Sequence, residues 1–231
     1  MKNKTRIYAV GLILFVLSLL MVSVEITAFK PAFFQKQYMK LNTAEKMGMS
    51  HEDLDASTIL LLDYIQDKRD DLDLKVSVHG VEVEMFNKRE KDHMIDVKVL
   101  FQNFTLMKNI FFIISGIMLI SALINKDIFN TKLSKDVLKL AGKYLFAVFF
   151  TISVYAIIDF NGFWTLFHKI LFSNDLWLLD PRTDRMINMF PEAFFNAMVM
   201  KIIVTFILLN LFVYLIHQVF LYVTKDKGVM R

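Results

Sequence analysis

The chain of 231 residues contains no cysteine. That single absence excludes disulfides, thiolate metal ligands and a cysteine nucleophile. There is also no GxSxG elbow, no Gly-rich phosphate loop, no Walker motif and no HExxH pair, so the usual serine-hydrolase, nucleotide-binding and zinc-protease signatures are missing. Glycine and proline are scarce, at 7 and 3 residues, beside 23 phenylalanines and 14 methionines. The net charge of +4 comes from lysines that flank apolar blocks and is not a nucleic-acid footprint.

What is abundant is apolar sequence. Hydrophobic residues make up 55% of the chain, and the mean hydropathy is +0.45. The excess is gathered in blocks, as in lipid-facing helices. Four blocks stand out: Ile7–Phe29, Phe104–Ile124, Tyr144–Ile158 and Pro191–Val223. The first is too long for the apolar core of a signal peptide (~7–15 residues), and no small-x-small site follows it closely, so it reads as a retained span. The third is short alone, and helical residues at its ends can extend it toward the ~20 that a bilayer needs. The expected architecture is a membrane α-helical protein: a four-transmembrane-helix bundle with a small extracytoplasmic α+β domain.

Orientation follows from the flanking cations. Lys2, Lys4 and Arg6 precede the first span; Lys126, Lys132, Lys135, Lys139 and Lys143 fill the second connection; Lys225, Lys227 and Arg231 follow the last span. The positive-inside rule puts these segments, and both termini, in the cytoplasm. The chain then divides into 1–29 (cytoplasmic N-terminus and first span), 30–103 (extracytoplasmic domain), 104–158 (two spans and a cytoplasmic loop), 159–190 (extracytoplasmic loop with interfacial helices) and 191–231 (last span and tail).

Within 30–103, Ser50-His51-Glu52-Asp53 reads as a helix start, and Leu54, Leu61, Tyr64 and Ile65 as its apolar stripe. Leu74, Val76 and Val78 alternate with polar residues, as do Val81, Val83 and Met85, around a His79-Gly80 turn. Pairing Val78 with Val81 sets Val76 opposite Val83 and Lys75 opposite Glu84. A hairpin alone is marginal, so further strands are expected from Phe29–Met39 or from the second outward loop. Asn87 to Glu90 caps the next helix. In the second loop Asp180-Pro181 reads as an N-cap followed by a proline at the first helical position.

Five histidines are present. His51, His79 and His217 fit surface or interfacial positions. His93 and His168 each fall on a helix near the outer membrane face, in segments rich in acids and aromatics. Either one alone reads more readily as a hydrogen-bonded structural residue. As a pair at one depth they are candidates for chemistry. Asp96, three residues after His93, can orient its imidazole or simply make a surface contact. Two histidines are a common start to a zinc site, but only scattered acids accompany them, and no metal is expected. Arg182 and Arg185, near Asn174, Asp175 and Asp184, suit a phosphate, ester or peptide group or the solvated face of a short helix. Glu25 lies in the outer part of the first span, where a carboxylate is costly unless paired or near water. Lys108 and Lys201 read as snorkelling lysines. Interior charges and broken helices of a transport path are missing.

The stretch FHKILFSNDLWLLDPRTDRMINMFPEAFF (Phe167–Phe195) closely resembles the signature of the lipoprotein intramolecular transacylases, four-span membrane proteins of low-GC Gram-positive bacteria. HMIDVKVLF (His93–Phe101) resembles their second signature. The resemblance implies an acyltransferase acting on diacylglyceryl-modified bacterial lipoproteins in the cell membrane, at its extracytoplasmic face. The sn-2 acyl chain of the S-diacylglyceryl cysteine would move to the free α-amine, giving the lyso form. It implies His93 and His168 as catalytic, with Asp96, Asn174, Asp175, Arg182 and Trp177 as substrate-binding or supporting residues, no cofactor, and lipoproteins and membrane lipid as partners, not nucleic acid. One histidine would serve as base and the other as acid. The reading from another class is a non-enzymatic accessory or sensor protein with an extracytoplasmic partner-binding domain. It predicts that His93 and His168 lie far apart or buried in ordinary packing, whereas the transacylase reading predicts facing imidazoles in a pocket open to lipid.

Overall fold

Four helices among the described residues are long and apolar enough to cross a membrane: α1 (Lys2–Ala28), α5 (Lys88–Ile124), α6 (Thr131–Ile158) and α9 (Glu192–Asp226). They belong to a computed structural model that describes residues 1–226. Lys227 and Arg231, counted above for orientation, lie outside the described residues. Between these helices stand α2 (Pro31–Leu41), α3 (Thr43–Met47), α4 (His51–Ile65), strands β1 (Lys75–Val78) and β2 (Val81–Glu84), α7 (Phe160–Leu171) and α8 (Arg185–Met189). The chain forms two units.

The first unit comprises Met1–Ser23, Thr105–Thr165 and the chain from Ile203 onward. Its apolar side chains point outward. Ile113, Ile117, Leu208 and Phe212 are all well exposed, a surface that lipid covers and water does not. The short third block is indeed the end of a longer helix, α6, whose N-cap Asn130 accepts from the Leu133 N–H. Gly11 lets α1 approach α5 closely, since a Cβ there would lie 2.6 Å from the Met118 sulfur. At the start of α1, Lys4 and Tyr8 both donate to the Asp127 carboxylate.

The second unit comprises Val24–Phe104 and Leu166–Ile202. Its core joins Phe34, Tyr38, Leu54, Leu61, Met85, Phe86, Met186, Met189 and Phe194. The Tyr38 hydroxyl is satisfied by Thr58 at 2.8 Å. Ser50 caps α4 by accepting from the Asp53 N–H at 3.0 Å. The hairpin has the expected register, Lys75 opposite Glu84, Val76 opposite Val83 and Val78 opposite Val81. Its turn has φ of 51° at His79 and 80° at Gly80, the left-handed pair that a two-residue hairpin turn prefers. The His79 ring covers Gly48, where a Cβ would lie 2.2 Å from it, so this histidine closes the turn onto the end of α3.

Two expectations are corrected. Neither Phe29–Met39 nor the second outward loop gives a strand among the described residues. In the first, Pro31 opens α2, and Phe34, Gln37 and Tyr38 form its buried side at helical spacing. No β-branched residue occurs between Lys30 and Leu41 to favour a strand. Lys75 stands opposite Glu84, but its ammonium meets Glu82 at 3.5 Å, while Lys91 reaches Glu84 and Asp73.

Candidate active site

Helix α5 begins with a reciprocal cap. The Asn87 side-chain oxygen accepts from the Glu90 N–H at 3.0 Å, and Glu90 accepts from the Asn87 N–H at 2.8 Å. The helix then presents Arg89, His93 and Asp96 at i, i+4 and i+7, one stripe along its surface. The segment Lys88–Asn103 carries seven charged side chains and lies outside the apolar stretch that can cross a bilayer, which starts at Phe104. His168 sits in the last turn of α7.

His93 and His168 are both buried, each 8% exposed. Their ring centroids lie 6.5 Å apart with 38° between the planes. Phe172 lies beside both, 5.3 Å from His93 and 5.7 Å from His168. Trp177 stacks on His168 at 4.8 Å and 25°. The Nδ1 of His93 is buried with no hydrogen-bond partner. Burial first, then the nearness of His168 and Arg89, lowers the His93 pKa to about 4 against the opposing pull of Asp96. His93 is therefore a neutral imidazole at neutral pH.

The loop after α7 carries Trp177. Asn174 accepts from the Leu176 N–H at 3.0 Å, a local turn, and donates its side-chain N–H to Asp96 at 2.8 Å. Arg89 donates to the main-chain carbonyl of Asp175. Asp96 is thus engaged with Asn174 rather than with His93, and Asp175 contributes its backbone.

The next turn is tied to the start of α5. Asp184, 3% exposed, accepts from the Asp180 N–H at 2.6 Å, from Asn87 at 2.7 Å and from Thr183 at 3.1 Å. Burial alone would raise its pKa, but these three bonds together hold it below the usual carboxylate range. Glu90 spends its second oxygen on the Met186 N–H at the start of α8. Burial outweighs its two backbone bonds, and the Glu90 pKa is raised. Asp180 does not start a helix. It accepts from the Arg182 N–H and guanidinium within one turn, and α8 begins only at Arg185. Arg182 is 87% exposed in its side chain and pairs with Asp180, whereas Arg185 donates to the Glu84 carbonyl at 3.0 Å.

Of the residues predicted from sequence, the structure gathers His93, His168 and Trp177 directly, and Asp96, Asn174 and Asp175 through the loop. Arg182 is instead bound within its own turn. The ties that Arg89 and Glu90 make to the second loop were missed. Glu90 carried a local signal, its capping spacing, but its bond to Met186 spans 96 positions and has no local trace. Among the described residues, no three His, Asp or Glu side chains come together as a metal set.

The fold is shared with the membrane integral lipoprotein intramolecular transacylase Lit from Bacillus cereus, solved in meso. That structure matches at 22% identity over 99% of this chain and 97% of the other, with a TM-score of 0.73. Two forms of the same Bacillus cereus protein with one histidine replaced also match. The arginine form has 20% identity over 100% and 94% of the two chains, with a TM-score of 0.72. The alanine form has 21% identity over 99% and 95%, with a TM-score of 0.71. The search of curated protein sequences finds no match. The family model for lipoprotein intramolecular transacylase Lit matches residues 9–195, a stretch that includes His93, His168 and both signature segments, and the chain belongs to that family.

Proposed function

We propose that this protein moves the sn-2 acyl chain of an S-diacylglyceryl cysteine onto the α-amine of the same cysteine, at the extracytoplasmic face of the membrane. The observation that carries the reading is the buried pair His93 and His168, 6.5 Å apart between ring centroids, in a chain of this family. The accessory-protein reading expected these rings far apart or buried in ordinary packing; both are buried, and it is their pairing at 6.5 Å that favours the transacylase.

The reaction needs no outside reagent. A bond forms between the amine nitrogen and the acyl carbonyl carbon, the ester bond to the glyceryl oxygen breaks, and the amine's proton ends on that oxygen. Ester and amine belong to one molecule, so holding them in contact supplies on the order of 7–11 kcal/mol in favourable systems.

The α-amine, with a pKa near ~8, must lose a proton before it attacks. Passing that proton to His93, with its pKa of about 4, would be uphill by roughly 5 kcal/mol. The lowered pKa makes His93 a weak proton acceptor, which favours His168 as the base that takes the proton and returns it to the leaving glyceryl oxygen. His93 stays neutral and donates its N–H to the oxyanion, as a neutral imidazole of lowered pKa can.

The test is a reconstituted assay. The protein in lipid nanodiscs is mixed with a synthetic diacylglyceryl-cysteine peptide, and the free amine is followed with an amine-reactive dye. Loss of dye reactivity with the native protein, and its retention with His168→Ala, supports the reading. Unchanged dye reactivity with the folded native protein contradicts it.

A further inference from the structure

The loop 172–179 is fastened to α5 at two points that bracket His93. Arg89, one turn before His93, donates to the carbonyl of Asp175. Asp96, one turn after it, accepts from the Asn174 side chain at 2.8 Å. Between the two fastenings the Asn174 turn fixes the chain direction by accepting from the Leu176 N–H. The next residue is Trp177, whose indole stacks on His168 at 4.8 Å. The α7 end of the loop carries Phe172, which touches both imidazoles.

We infer that Arg89 and Asp96 are positioning residues: they hold the 172–179 loop as a strap on α5, and through Trp177 the strap sets the His168 ring against His93. The catalytic consequence rests on the transacylase reading; the strap itself does not. Each fastening is a charge-assisted hydrogen bond, roughly twice as strong as a neutral one. One fastening alone would leave the loop free to pivot about it, whereas two, placed at i−4 and i+3 from His93, fix both position and tilt. Arg89 is suited to the task because its fork can hold a carbonyl while its charge stays at the surface.

An exchange of partners tests this. Asp96→Asn with native Asn174 keeps an acceptor but removes the charge. Asn174→Asp with native Asp96 sets two carboxylates against each other. The double variant Asp96→Asn with Asn174→Asp restores an amide donor facing a carboxylate, and the carboxylate introduced at position 174 can still accept from the Leu176 N–H. Each variant is made in a Trp164→Phe background, where Trp177 is the remaining tryptophan of the two in the chain. Packed on His168, its indole should be shielded from a soluble quencher such as acrylamide.

The strap predicts results on two readouts. The shielding of Trp177 from acrylamide is lost in Asn174→Asp and in Arg89→Ala, and it returns in the double variant and in Arg89→Lys. Transacylation falls by on the order of tenfold to a hundredfold in the first two, the scale of a small misplacement of reacting groups, and recovers alongside the shielding. A double variant no better than Asn174→Asp, or a Trp177 that stays shielded in Arg89→Ala, overturns the inference. The fluorescence arm reads the strap with no substrate present, so a protein that shows the shielding pattern but no transacylation would contradict the proposed reaction and leave the strap standing.

Discussion

The carboxylate of Glu90, on α5, accepts the backbone N–H of Met186 at the start of α8 while its other oxygen accepts from Asn87. One fully buried side chain therefore caps the start of its own helix and that of a second helix through Met186, 96 positions away. Glu90→Ala should cost on the order of 2–4 kcal/mol, the loss of a cap plus buried N–H groups left unpaired. Glu90→Gln has one acceptor oxygen for two donors and should fall between. Thermal unfolding in detergent checks the order native, Gln, Ala; equal midpoints for all three would contradict the double cap.

His93 gives a stability signature in acid. Its folded pKa, about 4, lies below its unfolded value near ~6.5. Between those pH values the unfolded chain binds more protons, so stability rises with pH across the window and is lost as pH falls through it. The loss is on the order of 2–3 kcal/mol, and the side chain is buried enough for most of it to be felt. His93→Phe should flatten the melting-temperature profile between pH 6 and 4, by about that amount. An unchanged slope in the variant would show that His93 titrates normally.

Arg182 lies in the signature stretch, yet its guanidinium is exposed and bound to Asp180 of its own turn. Surface pairs of this kind contribute little, so Arg182→Ala should leave the melting temperature close to that of the native protein. Calorimetry or thermal fluorescence measures it. A fall in transacylation without a fall in stability would then place Arg182 on the substrate rather than in the fold.

The absence of cysteine makes the orientation testable by single insertions. Glu82 and Lys132 are both exposed. With a membrane-impermeant maleimide on intact protoplasts, Glu82→Cys should be labelled and Lys132→Cys should be labelled only after lysis. The reverse pattern would invert the proposed topology.

Local chemistry was legible and distant chemistry was not. The Asn87–Glu90 cap, the Ser50 cap and the hairpin register rest on partners within a few positions or on strict alternation, and the sequence carries those rules openly. The stretch around Asp180 misled for the same reason. Asp-Pro is a sound helix start, but Asp180 bonds Arg182 across a turn, and Asp184 is the residue that precedes α8. Arg89 gave no signal at all, because its partner is a main-chain carbonyl 86 positions away and any residue supplies one. His93 and His168 could be named as a pair, but their common burial and the indole on His168 are tertiary facts.

The central claim is that an acyl chain moves from glyceryl oxygen to amine within one lipoprotein, and mass alone cannot reveal it because the transfer leaves mass unchanged. The direct measurement is fragmentation mass spectrometry of a lipoprotein's N-terminal peptide from cells that otherwise make only the diacylglyceryl form with a free amine. With the native protein, fragment ions should carry an acyl chain on the cysteine nitrogen and a single acyl chain on the glyceryl group, and both should disappear with His93→Ala and with His168→Ala. A free amine beside an intact diacylglyceryl group, in cells whose membranes contain the folded native protein, would contradict the account.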